Sequence, residues 1–397
     1  MFYLTVFLIF TVMVALALAL ILILLFCRLI SKIKRMNHPL QLILIKKAAL
    51  FAAIIITINI VLIIGSHLTA STPKITDNNG KTPKNSITEL ERIELNGRKQ
   101  WISLRGHDKN NPVLLFLAGG PGGSQLAAVR YELSELEKHF VVVNWDQPGS
   151  AKSYNAEKIN KITRDTYIED GHALTEYLKN RFSQDKIFLL GESWGSALGI
   201  FLVDKYPQDY HAFIGTGQMI DFAETERIDY RMAMEIAESK GDSVVVKKLK
   251  SLGEPPYYGK SMVWKSGLYL NYLTKYMTSN PEIHNSGYDT IRDVGSPEYG
   301  LLDKINYFRG IVNTFNNVYQ QLYDIDLRKD YTKLEIPVYF FLGRHDVNAP
   351  TKLVEKYAEL LDAPKKEIIW FEHSGHNPWI NEAEKFAQEV VSCFLEN

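Results

Sequence analysis

Hydrophobic residues follow three different rhythms along this chain of 397 residues. The first is continuous: Phe2 to Cys27 contains no charged residue, and a second apolar run extends from Ala48 to Gly65 with Asn59 interrupting it. At the helical rise residues 48–65 cover about 27 Å, so both runs are read as transmembrane helices, the second near the minimum length for a hydrocarbon core. A cleaved signal peptide needs a basic start, and no charge precedes Arg28, so the first helix is expected to be retained. From Ser66 to about Glu89 the rhythm is lost among Thr, Lys, Asn and Pro, which predicts a solvated spacer.

Short apolar runs of strand length then recur near 92–95, 100–104, 113–117, 140–145, 187–190, 212–215, 338–342 and 367–371, with helical stretches between most of them. Such alternation predicts an α/β fold, a mostly parallel sheet covered by helices. About 120 residues separate Thr216 from Pro337, far more than one crossover helix needs, and predict a helical cap. Its aromatic residues, Trp264, Tyr269, Tyr272, Tyr276, Tyr307, Phe308, Phe315 and Tyr319, fall at helical spacings and mostly suit a cap core. The expected plan is a membrane anchor over 1–65 with helices at about 2–27 and 48–65, a polar linker over 66–89, an α/β core over 90–220 and 331–397, and the cap over 221–330.

Charge sets the orientation. Arg28, Lys32, Lys34, Arg35, Lys46 and Lys47 lie between the two apolar runs with no acidic residue among them, which places this loop in the cytoplasm and the large domain outside the cell. Without the second span the domain would face the cytoplasm. A formal net charge of +0 argues against a nucleic-acid partner. Cys27 and Cys393 suit neither a disulfide nor a metal spacing, and His172, His211 and His284 are scattered, so no metal or organic cofactor is expected.

The chemistry is concentrated at strand ends. Gly191-Glu192-Ser193-Trp194-Gly195 follows the apolar run Ile187–Leu190 and reads as strand, sharp turn and helix, the form of a nucleophile elbow. The pentapeptide alone is weak, but an acid, Asp346, follows the run 338–342, and His376 follows the run 367–371. Serine becomes nucleophilic when a neutral imidazole takes its proton, and a carboxylate holds that imidazole in the useful tautomer, so Ser193, His376 and Asp346 are the expected triad. His373 is the rival base; it sits against the strand end, whereas His376 lies on an expected mobile, exposed turn. The glycine-rich turn Ala118–Ser124, also after a strand, suits the oxyanion loop, with Gly120 and Trp194 as the expected backbone donors. Asp146 after the run 140–145 is expected to fix a turn.

On these motifs the chain resembles the α/β-hydrolase superfamily, and within it the proline iminopeptidase-like serine aminopeptidases, from about residue 90 onward. Gly119–Gly123 resembles that family's His-Gly-Gly-Pro-Gly loop, Asp146–Ser150 its Asp-Gln-Arg-Gly turn, and Gly191–Gly195 its Gly-Gly-Ser-Trp-Gly elbow. The chain departs from these at Ala118, Pro148 and Glu192. The resemblance implies an aminopeptidase acting through an acyl-enzyme on short peptides, with cap acids holding the substrate's free amine. Glu224, Glu226 and Glu192 are the weak candidates for substrate binding, the first two reading otherwise as a solvated helix face. Two alternatives stay open: a carboxylesterase or lipid acylhydrolase acting on acyl esters beside the bilayer, and a silent binding protein that keeps the fold.

Overall fold

The computed structural model describes residues 2–36, 39–76, 80–285 and 287–396. The chain divides into two compact units, Met1–Ser71 with Gly295–Lys304, and Thr72–Val294 with Ile305–Asn397.

In the first unit, α1 (Phe2–Ile33) and α2 (Pro39–Leu68) are both long and apolar enough to cross a membrane. Each extends beyond the apolar run read from the sequence, because the flanking Leu, Ile, Lys and Arg are good helix formers. The two helices form a hairpin: Asn59 Nδ2 donates to Thr11 Oγ1 at 3.4 Å, and Gly65 lies against the Tyr3 ring. Asn59, an interruption in the hydropathy pattern, therefore has an interhelical polar partner, the usual role of such residues between apolar helices. The stretch Gly295–Lys304, within the segment read as cap, belongs to this unit. The Leu301 amide donates to Ser66 Oγ at 2.9 Å and the Ser71 amide to the Pro297 carbonyl at 3.2 Å.

The second unit is built on an eight-stranded sheet of β1 (Ile87–Leu95), β2 (Arg98–Gly106), β3 (Val113–Leu117), β4 (Val141–Asp146), β5 (Ile187–Glu192), β6 (Tyr210–Thr216), β7 (Val338–Gly343) and β8 (Lys366–Phe371), in the order 1-2-4-3-5-6-7-8. β1 and β2 pair antiparallel and β2 joins β4 antiparallel; β3 to β8 are parallel. β1 begins inside the stretch read as spacer, since all of Ile87 to Leu95 pairs with β2. β3, β4, β5 and β7 are buried along their whole length, as strands covered on both faces are. Leu115, Val143 and Leu189 enter one core, and Leu114, Phe116, Val142 and Leu190 the other.

Helices α3 (Leu126–Glu132), α4 (Arg164–Phe182) and α5 (Trp194–Lys205) belong to the core. The cap opens with α6 (Phe222–Ser239), α7 (Ser243–Leu252) and α8 (Met262–Thr278), which pack on one another. Asp221 caps α6 by accepting the Glu224 amide at 2.8 Å, and its carboxylate also binds Arg328, which bonds Glu224 and Asp326 as well. Within the cap aromatics, Tyr269 is fully buried and Tyr319 nearly so, whereas Trp264 and Phe308 are exposed.

Candidate active site

The parallel strands end together, with Leu117 beside Gly191, Glu192 beside Thr216 and Gly343 beside Phe371. Their loops therefore meet at the carboxyl edge of the sheet, where open α/β sheets hold their sites.

Ser193 stands between β5 and α5 at φ 53, ψ −120, a conformation that costs an L-residue about 1–3 kcal/mol. Backbone contacts hold it there. The Ser193 amide donates to the Thr216 carbonyl at 3.0 Å, and its own carbonyl accepts the Ser196 amide at 2.9 Å and hydroxyl at 2.5 Å. The flanking glycines are demanded by close approach: a Cβ at 191 would lie 2.3 Å from the Gly195 carbonyl oxygen, and one at 195 would lie 2.1 Å from that of Leu117.

His376 Nδ1 is 2.9 Å from Asp346 Oδ2, and the other carboxylate oxygen accepts the Asn348 and Ala349 amides at 2.8 and 2.9 Å. Asp346 is thus oriented by backbone donors, with one oxygen left for the ring. Burial alone favours a neutral imidazole, but the charge and hydrogen bond of Asp346, with Glu192 beyond, outweigh it and push His376 up to about 9. The expectation of an exposed His376 and a packed His373 is corrected. His376 is 8% exposed, while His373 is exposed, stacks on His284 at 4.2 Å and places Nδ1 3.1 Å from the Glu282 carbonyl oxygen. The reversal arises because cap residues Met277 and Tyr288 help enclose the cavity around His376. The His376 loop is itself anchored, with the Gly375 amide on Asn381 Oδ1 at 3.1 Å and the Ser374 hydroxyl on Glu382 at 2.6 Å.

The three motifs read separately from the sequence are joined through one side chain. Trp194 Nε1 donates to Gln147 Oε1 at 3.0 Å, and Gln147 Nε2 donates to the Ala118 carbonyl at 3.0 Å. The elbow, the Asp-Gln-Pro turn and the glycine-rich loop are locked in one arrangement. Asp146 serves this turn, accepting the Lys152 amide at 2.9 Å and the Ser124 hydroxyl. Gly120, at φ 135, lines a cavity of about 60 Å³ together with Ser193 and Trp194.

Across that cavity stand Glu226 and Asp229 of α6, with Phe222, Phe315 and Tyr319 as apolar and aromatic walls. The reading of Glu226 as part of a solvated face is corrected: it is 1% exposed, because it falls on the same helical stripe as Phe222 and Ala233. Its carboxylate accepts the Tyr319 hydroxyl at 3.0 Å, the Ser266 hydroxyl at 3.0 Å and the Tyr269 hydroxyl. Asp229 is 1% exposed and, among the described residues, neither carboxylate oxygen has a hydrogen-bond partner. Burial, then the charges of Glu226 and Asp346, hold it well above the usual carboxylate range. Sequence reasoning missed Asp229. Its signal was an acid on the apolar stripe of α6. Glu224 is half-exposed and bonded to Arg328 at 2.6 Å, in the network at the cap's base.

A second cavity, of about 380 Å³, is lined by His376 and shares Asn348 with the first. Asn285, Asn348, Asn377 and Asn381 line it, and the side-chain oxygens of Asn348 and Asn377 are buried without a partner. Apart from these cavities, His172, Glu176 and Asp209 could converge on a metal ion, but Lys179 already bonds Glu176 at 2.7 Å and Asp209 at 2.6 Å.

The family described as Serine aminopeptidase, S33 matches residues 127–295. The chain is 30% identical over 313 residues to the Bacillus subtilis (strain 168) protein named "Probable aminopeptidase YbaC", an alignment covering 77% of this chain and 96% of that one. It is 25% identical over 301 residues to a proline iminopeptidase of Saccharolobus solfataricus, covering 74% and 86% of the two chains. The solved proline iminopeptidase of Mycobacterium smegmatis is similar in fold, with a TM-score of 0.52 at 14% identity over 78% of this chain and 98% of the other.

Proposed function

The chain belongs to the proline iminopeptidase-like serine aminopeptidase branch of the α/β-hydrolase superfamily, and from that premise we propose that it removes N-terminal residues from short peptides through an acyl-enzyme. Ser193 attacks the carbonyl of the first residue while His376 takes its proton and later returns it to the departing amine. Asp346 holds the ring, and the Gly120 and Trp194 amides receive the oxyanion. Water then releases the acyl group by the same steps in reverse.

The observation that carries this reading is the unpartnered carboxylate of Asp229 in the cavity that also contains Ser193. A buried carboxylate without a partner is costly, and an N-terminal ammonium is the partner that would offset the cost. Glu226 adds negative charge beside it. The cavity's small volume suits a compact first residue, proline among them, and the second cavity, lined by His376, would take the rest of the peptide. An acyl ester brings no cation to this acidic floor, which favours the aminopeptidase over the esterase.

The test is hydrolysis of aminoacyl amides, their N-acetylated forms and short acyl esters by wild type and Ser193→Ala. Serine-dependent cleavage restricted to free-amine substrates is expected, with Ser193→Ala lowering turnover on the order of 10³-fold or more. Full turnover by that variant would end the triad assignment, and cleavage of esters alone would make the protein an acylhydrolase.

We further propose that α1 and α2 anchor the chain in a bilayer with the basic segment between them in the cytoplasm, so that peptides are cleaved outside the cell. Protease added to intact cells should remove the catalytic domain. Cleavage only after lysis would reverse the orientation.

A further inference from the structure

Residue 192 is the one position of the elbow at which this chain departs from the glycine of the resembling motif, and the substitution puts a carboxyl at the centre of the site. Glu192 is 3% exposed. Its Oε2 accepts Gln125 Nε2 at 2.9 Å, and Gln125 in turn accepts the Gly119 amide through Oε1 at 3.3 Å and is bonded to the Tyr288 hydroxyl. Oε1 stands 3.8 Å from His376 Nε2, the nitrogen that Asp346 does not hold. A Cβ at 119 would lie 2.1 Å from Glu192 Oε2, so glycine at 119 leaves the room that this carboxyl occupies.

Two acids from two strand ends therefore flank one imidazole. From β5 the facing group is Glu192, and from the loop after β7 it is Asp346. From the cap, Tyr288 lines the His376 cavity, and Asp229 feels the charge of Asp346. Among the described residues no lysine or arginine lines either cavity. Burial raises the Glu192 carboxyl, with His376, Gln125 and Gly119 opposing it, while the ring beside it is pushed up to about 9.

We infer that Glu192 is a positioning residue for His376: held by Gln125, it faces the ring's Nε2 edge at 3.8 Å and as an anion favours the charged ring, whose proton must leave to solvent before the ring can take the one on Ser193. The resting site is thereby restrained at low and neutral pH and released at alkaline pH. The inference rests on Ser193 and His376 being nucleophile and base.

The test is the rate at which a fluorophosphonate labels Ser193 in the full-length protein in detergent, followed across pH in wild type, Glu192→Gln and Glu192→Gly. The probe has no titrating amine, so the profile reports the availability of the base. In wild type the rate should rise toward about pH 9. In both variants the midpoint should fall by about 1 pH unit or more, as expected when an anion about 4 Å from an imidazolium is removed. Gln125→Leu, which keeps the acid but removes a donor to its charged form, should shift the midpoint in the same direction by less. Midpoints unmoved in all three variants would overturn the inference while leaving the triad standing. Equal labelling of Ser193→Ala would instead overturn the reading on which it rests.

Discussion

Replacing Asp229 with asparagine removes the group that can become the anionic partner of a substrate ammonium while keeping the shape of the side chain. In the resting protein this carboxylate is buried with no partner, beside Glu226, whose own oxygens are already taken by Tyr269, Tyr319 and Ser266. A substrate ammonium would therefore find its free acceptor on Asp229 and only a diffuse attraction from Glu226. Removing one member of a buried, hydrogen-bonded charge pair costs about 2–5 kcal/mol. The retained Glu226 charge argues for the lower end, and about 2 kcal/mol corresponds to roughly a thirtyfold loss. The assay compares kcat/KM for an aminoacyl amide with that for a short acyl ester of similar size. The expected result is a loss of about thirtyfold or more on the amide with little change on the ester. Equal losses on both, or no loss on either, would refute an amine-binding role.

The same variant has a stability signature. Because burial and its acidic neighbours raise Asp229, the native state keeps a proton that the unfolded chain has already released above about pH 4. Stability falls with pH wherever the native state binds more protons, so this group weakens the fold as pH rises from about 4 toward its raised value. Asparagine removes that dependence. Asp229→Asn should melt above wild type near neutral pH, with the difference shrinking toward pH 4, although it is less active. A purely structural Asp229 would give a lower melting temperature together with a uniform loss of activity.

Raising the pH should move activity and stability in opposite directions. His376 is pushed up to about 9, so turnover, which in the proposed mechanism needs the neutral ring, should drop about tenfold for each pH unit below that value. The stabilisation its imidazolium gives the fold is complete below the unfolded value of about 6.5 and is lost as pH rises through about 9, so thermal melts should decline over the range in which kcat climbs; parallel rises would contradict this. Gln147→Leu would leave Trp194 Nε1 and the Ala118 carbonyl without their partners. A cost of about 1–3 kcal/mol per orphaned buried group is expected, read as a lower melting temperature with slower labelling of Ser193; labelling at the wild-type rate would show that the elbow and the glycine-rich loop keep their places without that link.

What the sequence made legible was whatever is encoded locally. The elbow is a pentapeptide whose glycines answer contacts within a few residues and one neighbouring strand, and Asp346 and His376 each follow a short apolar run, fully buried in β7 and partly exposed in the edge strand β8. Their chain order was readable without distances. The environment of each group was not, because it is supplied by the cap, whose packing depends on contacts distant in sequence. His376 was expected to be exposed and is enclosed, and Glu226 was assigned to a solvated face and is buried. Yet α6 carried a usable signal. Phe222, Glu226, Asp229 and Ala233 lie on one helical stripe, all buried, and two acids on an apolar stripe are a stability cost that solvated acids do not incur. A chain that places carboxylates there must compensate them from outside the helix. Three hydroxyls do so for Glu226, and among the described residues none donates a hydrogen bond to Asp229, which is the strongest physical reason to expect a cation from the substrate at that position.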